Sequence, residues 1–141
     1  MTFLTRQFLS IGAAQSQRQI GYLQREGKAP GLFWLNGFRS VMTGLKATRL
    51  DAFGAAQGLA VTRFDYSGLG ASSGNFEEGT ISRWLEETVA VFAQTKGPQI
   101  VVGSSLGGWL ALLLARHLLV FGQSPLHGLV LIAPAVDSTR D

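Results

Sequence analysis

The chain has 141 residues, of which 46% are apolar and 15% charged, with a formal charge of +3. That balance belongs to one compact domain and excludes a long disordered chain. No cysteine is present, which excludes a disulfide scaffold, a thiolate nucleophile and any cysteine-based metal centre. The basic residues are scattered rather than gathered into a stripe, so no nucleic-acid footprint is visible. The longest apolar stretch, Trp109–Phe121, is interrupted by Arg116 and His117 and falls short of the roughly 20 residues that cross a bilayer. Met1–Gln19 carries Arg6 and Arg18 and no acid, but it lacks the continuous apolar region of a secretory signal. The expected location is cytoplasmic.

In chain order, Gln19–Arg25 reads as a strand, closed by the breaker-rich run Glu26–Gly31. Leu32–Leu35 reads as a short buried strand leading into Asn36-Gly37-Phe38. Thr43 is expected to cap a helix that runs to about Gln57 and ends at Gly58. Leu59–Phe64 is the next strand, followed by the glycine loop Asp65–Gly70. Thr80 is expected to cap a helix reaching Gln94, with Trp84 and Phe92 on its packing face and Glu86 and Glu87 on a solvated one. Gln99–Gly103, Leu106–Leu119 and Gly128–Ala133 complete a strand, helix, strand sequence. Strands alternating with helices imply a mostly parallel sheet with right-handed crossovers. The pattern ends soon after its last strand, so residues 1–141 are expected to be the N-terminal portion of a single α/β domain, truncated after residues 128–133.

The strongest chemical signal is Gly103-Ser104-Ser105-Leu106-Gly107, a G-x-S-x-G pattern between an apolar strand and a helix. Its mechanical meaning is a sharp strand-to-helix turn that exposes the hydroxyl of Ser105 at the apex, with the Leu106 amide aimed at an oxygen that becomes negative. The Phe38 amide, on the loop after an earlier strand, is the candidate second donor. The competing role for Ser105 is an ordinary helix N-cap. A serine nucleophile needs a base. His117 lies twelve residues along the same helix, roughly 18 Å away at 1.5 Å per residue, and His127 precedes the last strand at the opposite end of the sheet. Neither reaches Ser105. Asp65 is expected to hold its glycine turn, and Asp137 could serve as the acid only in an atypical arrangement. Arg39 is an ordinary surface cation or a contact for a carboxylate-bearing substrate. Gly68, Gly70 and Gly74 follow a strand, but their spacing is not a dinucleotide fingerprint and no phosphate-loop Lys-Ser/Thr pair occurs.

Phe33–Ser40 with Met42–Ala47, Arg63–Gly74, Gly79–Glu86 and Gly103–Ala111 together resemble the serine esterases and thioesterases of the α/β-hydrolase superfamily, from about Ile20 to Asp137. The resemblance implies hydrolysis of carboxylic esters or thioesters, on small molecules or acylated proteins, through an acyl-serine intermediate and without a cofactor. It places the nucleophile on Ser105 and the oxyanion donors on Phe38 and Leu106. Members of that family often carry Pro where this chain has Asn36, and their acid and histidine lie beyond the point that corresponds to Asp141. A non-catalytic α/β-hydrolase-like binding or scaffold protein is the alternative.

Overall fold

The computed structural model describes residues 4–122 and 126–132. The described strands are β1 (Leu4–Ile11), β2 (Arg18–Arg25), β3 (Lys28–Leu35), β4 (Leu59–Phe64), β5 (Gln99–Ser104) and β6 (Leu126–Ile132). Helix α1 (Leu45–Gln57) joins β3 to β4, α2 (Ile81–Phe92) joins β4 to β5, and α3 (Leu106–Val120) lies between β5 and β6. One mixed sheet results, in the order β1-β2-β4-β3-β5-β6. Strands β4, β3, β5 and β6 are parallel, while β1 and β2 are antiparallel to their neighbours. This is an α/β-hydrolase fold, mostly parallel and flanked by helices.

Period-two alternation divides each central strand between two cores. On β3, Phe33 and Leu35 point into a large cluster with α2 and α3, whereas Trp34 points the other way onto Ala47 of α1. On β5, Val101 joins the first cluster and Val102 the second. The strand order fixes this division. From β3 the chain passes through α1 to β4 on one side, and from β5 it passes through α3 to β6 on the other. Right-handed crossovers running in opposite directions put α1 and α3 on opposite faces. The carboxyl ends of the adjacent strands β3 and β5 therefore face an open crevice at the point where strand order reverses, the usual ligand position in such sheets.

Several local expectations need correction. Lys28–Gly31, read as part of a turn, opens β3, and His127, read as preceding the last strand, lies within β6. Strand β1 was not foreseen: it pairs along its whole length with β2, yet only Ile11 in it is buried, so its sequence shows no apolar face. The cap of α1 is Gly44, not Thr43, and it offers no side-chain bond. Thr80 does cap α2, accepting from the Arg83 amide at 3.1 Å.

A further correction concerns Glu87, which is fully buried rather than solvated. Its carboxylate accepts from Arg18 Nε at 2.7 Å and from the Ser67 amide at 2.8 Å. Arg18 is itself buried and also bonds Glu86, whose side chain is 56% exposed. Burial lowers the Arg18 pKa, but the hydrogen bonds and charges of Glu87 and Glu86 outweigh that and leave it raised. The pair ties β2 to α2 and to the loop after β4. Removing one member strands the other's charge in the interior, so Glu87→Ala is expected to destabilise by about 3–5 kcal/mol. Glu86→Ala should cost less than about 1 kcal/mol, as exposed pairs do. Urea unfolding of the two variants checks both values, and equal losses would contradict the assignment.

Candidate active site

Ser105 occupies the turn between β5 and α3 with φ 56° and ψ −119°, a left-handed backbone that a non-glycine residue adopts at a cost of about 1–3 kcal/mol. It stands at the N-cap position but its side chain makes no capping bond. The ordinary cap role is therefore absent. The turn is held by its backbone, since the Ser105 amide donates to the Ile132 carbonyl at 2.9 Å and the Ser105 carbonyl accepts from Gly108 at 2.9 Å. Gly103 and Gly107 make room for it. A Cβ on Gly107 would collide with the carbonyl groups of Leu35 and Asn36, and one on Gly103 would collide with the Gly107 carbonyl.

Close approach of α3 to the end of β3 brings the Asn36-Gly37-Phe38 loop beside the serine. A Cβ built on Gly37 would lie 3.5 Å from Ser105 Cβ and 3.3 Å from the Ser104 carbonyl oxygen. A cleft of about 340 Å³ opens here, with Gly37, Phe38, Val41, Lys46 and Ser105 in its wall. Lys46 Nζ donates to Ser104 Oγ at 3.2 Å across it. Of the two oxyanion candidates, Leu106 sits in the first turn of α3, where backbone amides have no intrahelical acceptor. Its side chain is buried in the core and does not line the cleft. Phe38 is 57% exposed and lines the cleft; its ring meets Phe76 edge-on at 5.5 Å. Arg39, also at positive φ, lays its guanidinium 4.7 Å from the Phe76 ring centre, a cation–π contact rather than an ion pair.

The segment between this loop and α1 is pinned from below. Asp65, buried at the end of β4, accepts from the Met42 amide at 2.7 Å and from the Ala71 amide at 2.9 Å. Arg63 donates to the Met42 carbonyl from the other side. Asp65 therefore holds backbone, as its place before the glycine loop implied, and Arg63 is a partner the sequence did not reveal. His117 is half-buried near the far end of α3, its ring against Phe121 at 4.6 Å. His127 is exposed on β6, whose start pairs with the start of β5, opposite the serine. Neither histidine is brought to Ser105. Asp137 lies outside the described residues.

Residues 29–141 match the model of a family described as "Alpha/beta hydrolase family". The chain belongs to this family. Among curated proteins it is 39% identical over 120 residues to the human mitochondrial palmitoyl-protein thioesterase ABHD10, covering 84% of this chain and 38% of the relative. It is 40% identical over 119 residues to the mouse protein, with 84% and 39% covered. The chain thus spans less than half the length of these relatives. Among solved structures, a putative hydrolase from Agrobacterium vitis S4 superposes with a TM-score of 0.93 at 44% identity, covering 98% of this chain and 55% of that one. Mouse alpha/beta hydrolase domain-containing protein 10 superposes with a TM-score of 0.82 at 34% identity, covering 96% and 53%. The curated relatives are mitochondrial, which overturns the cytoplasmic location expected for this chain. That expectation rested on the missing apolar run, whereas mitochondrial transit peptides are amphipathic and need none. Among the described residues no helix is long and apolar enough to cross a membrane.

Two measurements test this geometry. Ser105→Ala keeps the backbone strain and should leave stability within about 0.5 kcal/mol of the parent, whereas Ser105→Gly should be more stable than Ser105→Ala by about 1 kcal/mol. Urea midpoints decide, and a less stable glycine variant would contradict the strain. For Asp65, burial raises the pKa, opposed by the bonds from Ala71 and Met42. The folded chain therefore binds this proton more tightly than the unfolded chain, and the Asp65 contribution falls as pH rises from the ordinary carboxylate range through the raised value. The stability of the parent minus that of Asp65→Asn should decline across that window and level off on either side. A difference that rises with pH would reverse the assignment.

Proposed function

We propose that this chain carries the nucleophile and oxyanion half of a serine hydrolase that cleaves carboxylic esters or thioesters. The observation that carries this reading is Ser105 itself, held in a left-handed turn without a capping bond, beside a cleft and a second glycine loop. Ser105 Oγ attacks the acyl carbon and gives its proton to a base. The carbonyl oxygen, now negative, is met by the amides of Leu106 and Phe38 with the positive end of α3 behind them. Collapse expels an alcohol or thiol, which takes up the proton, and water then releases the acid from the acyl-serine. No cofactor enters these steps.

Neither described histidine reaches Ser105, so the base and its acid partner are assigned to segments outside the described residues. On this reading residues 1–141 form the N-terminal portion of one larger hydrolase domain, with about two-fifths of the relatives' length in hand. The apolar residues Leu129, Val130 and Ile132 exposed on β6 support that reading, because a central parallel strand normally has both faces covered. The human and mouse relatives are palmitoyl-protein thioesterases by name, which favours a fatty acyl thioester on a protein as one substrate. That no base stands beside Ser105 among the described residues also supports a second reading, a non-catalytic binding protein on the hydrolase scaffold.

A fluorophosphonate probe separates them. We expect it to label Ser105 in the protein expressed from its complete reading frame, to label residues 1–141 more slowly by about 10³-fold or more, and to leave Ser105→Ala unlabelled in both. A folded complete protein that resists the probe would favour the binding reading.

A further inference from the structure

The loop that carries Gly37 and Phe38 begins at Asn36, which is buried and held at three points. Asn36 Oδ1 accepts from Trp34 Nε1 at 2.6 Å, Asn36 Nδ2 donates to the Phe64 carbonyl at 2.8 Å, and the Asn36 carbonyl accepts from Tyr66 Oη at 2.7 Å. All three partners are themselves buried, on β3, at the end of β4 and just after β4. The third bond differs in kind from the other two. It grips the peptide unit between Asn36 and Gly37, and next to a glycine such a unit can rotate with little steric cost. Rotation would swap the carbonyl and amide directions at the point where the loop passes Ser105.

We propose that Tyr66 is a positioning residue for the oxyanion loop: its hydroxyl fixes the Asn36 carbonyl inward, so that the amides beyond it face the cleft beside Ser105. This rests on the assignment of Phe38 as an oxyanion donor. Tyr66 is suited to the task by its surroundings. Its ring is locked edge-on to Phe64 at 5.2 Å and tilted on Trp84 at 5.9 Å, so the hydroxyl has one reachable position. Burial, reinforced by the charge of Glu87, pushes its pKa well up, and the group stays a donor wherever the fold persists. The Arg18–Glu87 pair holds the next residue, Ser67, by its amide. Asn36 supplies the remaining restraint, and the family's frequent proline at that position could offer neither of its side-chain bonds.

Tyr66→Phe removes one hydroxyl and keeps the ring packing. The experiment records amide exchange on the microsecond to millisecond scale by NMR relaxation dispersion, together with the rate of fluorophosphonate labelling, in residues 1–141 and in the complete protein. We expect exchange broadening confined to Gly37, Phe38 and their neighbours in Tyr66→Phe. We expect labelling to slow by about 10-fold or more, a part of the 10²–10³ lost when a whole oxyanion donor is removed. Unchanged loop amides in a folded Tyr66→Phe protein would overturn the proposal. New loop exchange without any labelling in either the parent or the variant would support the positioning role while rejecting Ser105 as a nucleophile. If Tyr66→Phe does not fold, Trp34→Phe, which deletes the Nε1 bond to Asn36 and trims a buried ring that packs on Ala47, gives the same two readouts in a variant confirmed as folded, and an unperturbed loop there would count against the clamp.

Discussion

The site depends on one close approach, the backbone of Gly107 lying against the Leu35 and Asn36 carbonyl groups. Any side chain at that position would push the first turn of α3 away from the end of β3. The separation would open the gap between Ser105 and Gly37 and part the two loops that carry the proposed oxyanion donors. Gly103 does the same for the inner side of the turn, where Gly107 folds back over it. The proposed site thus depends on two absent methyl groups as well as on the serine side chain. A glycine's cost in conformational entropy, about 0.5–1 kcal/mol each, is small beside the packing it permits.

That packing also explains how Ser105 stays strained. Leu106, Leu110 and Leu114 of α3 are each at least 95% removed from solvent, and full burial of one such side chain contributes about 1.5–3 kcal/mol. Together these exceed the 1–3 kcal/mol cost of the left-handed backbone. The helix therefore fixes where the turn must be, and the bonds to Ile132 and Gly108 fix how it closes. Strain survives because relaxing it would unseat a buried helix.

Much of this was legible in the sequence where the signal was local. Glycines flanking a serine between an apolar run and a small-residue helix mark the turn as a local pattern, although only Gly103 owes its need to a near neighbour, Gly107, and the carbonyls that Gly107 must clear belong to the distant Leu35 and Asn36. Alternating strands and helices gave the parallel sheet for a similar reason. What escaped was long-range. Glu87 looked like one more charge on a solvated helix face, since its partner Arg18 is 69 positions away. Asn36 looked like a departure from a family pattern, and its bonds to Trp34, Phe64 and Tyr66 become visible only when β3 and β4 lie side by side. Strand β1 was missed because an edge strand with one buried residue has no apolar face to read. Its place in the sheet is set by ladder bonds, which every sequence can make.

Buried polar groups are expensive unless paired, and here several of them hold backbone. Asp65 and Arg63 grip the two sides of Met42, Asn36 and Tyr66 grip the start of the oxyanion loop, and Glu87 grips Ser67. Each gripped segment comes after β3 or β4, at the same end of the sheet as the serine. An apolar core of equal volume would serve stability as well or better. It would not fix the direction of a peptide unit, because dispersion contacts do not distinguish a carbonyl from an amide. Directed bonds at the serine end of the sheet are therefore what the proposed backbone-amide site requires: the loops that would present those amides are held in orientation by hydrogen bonds that read orientation.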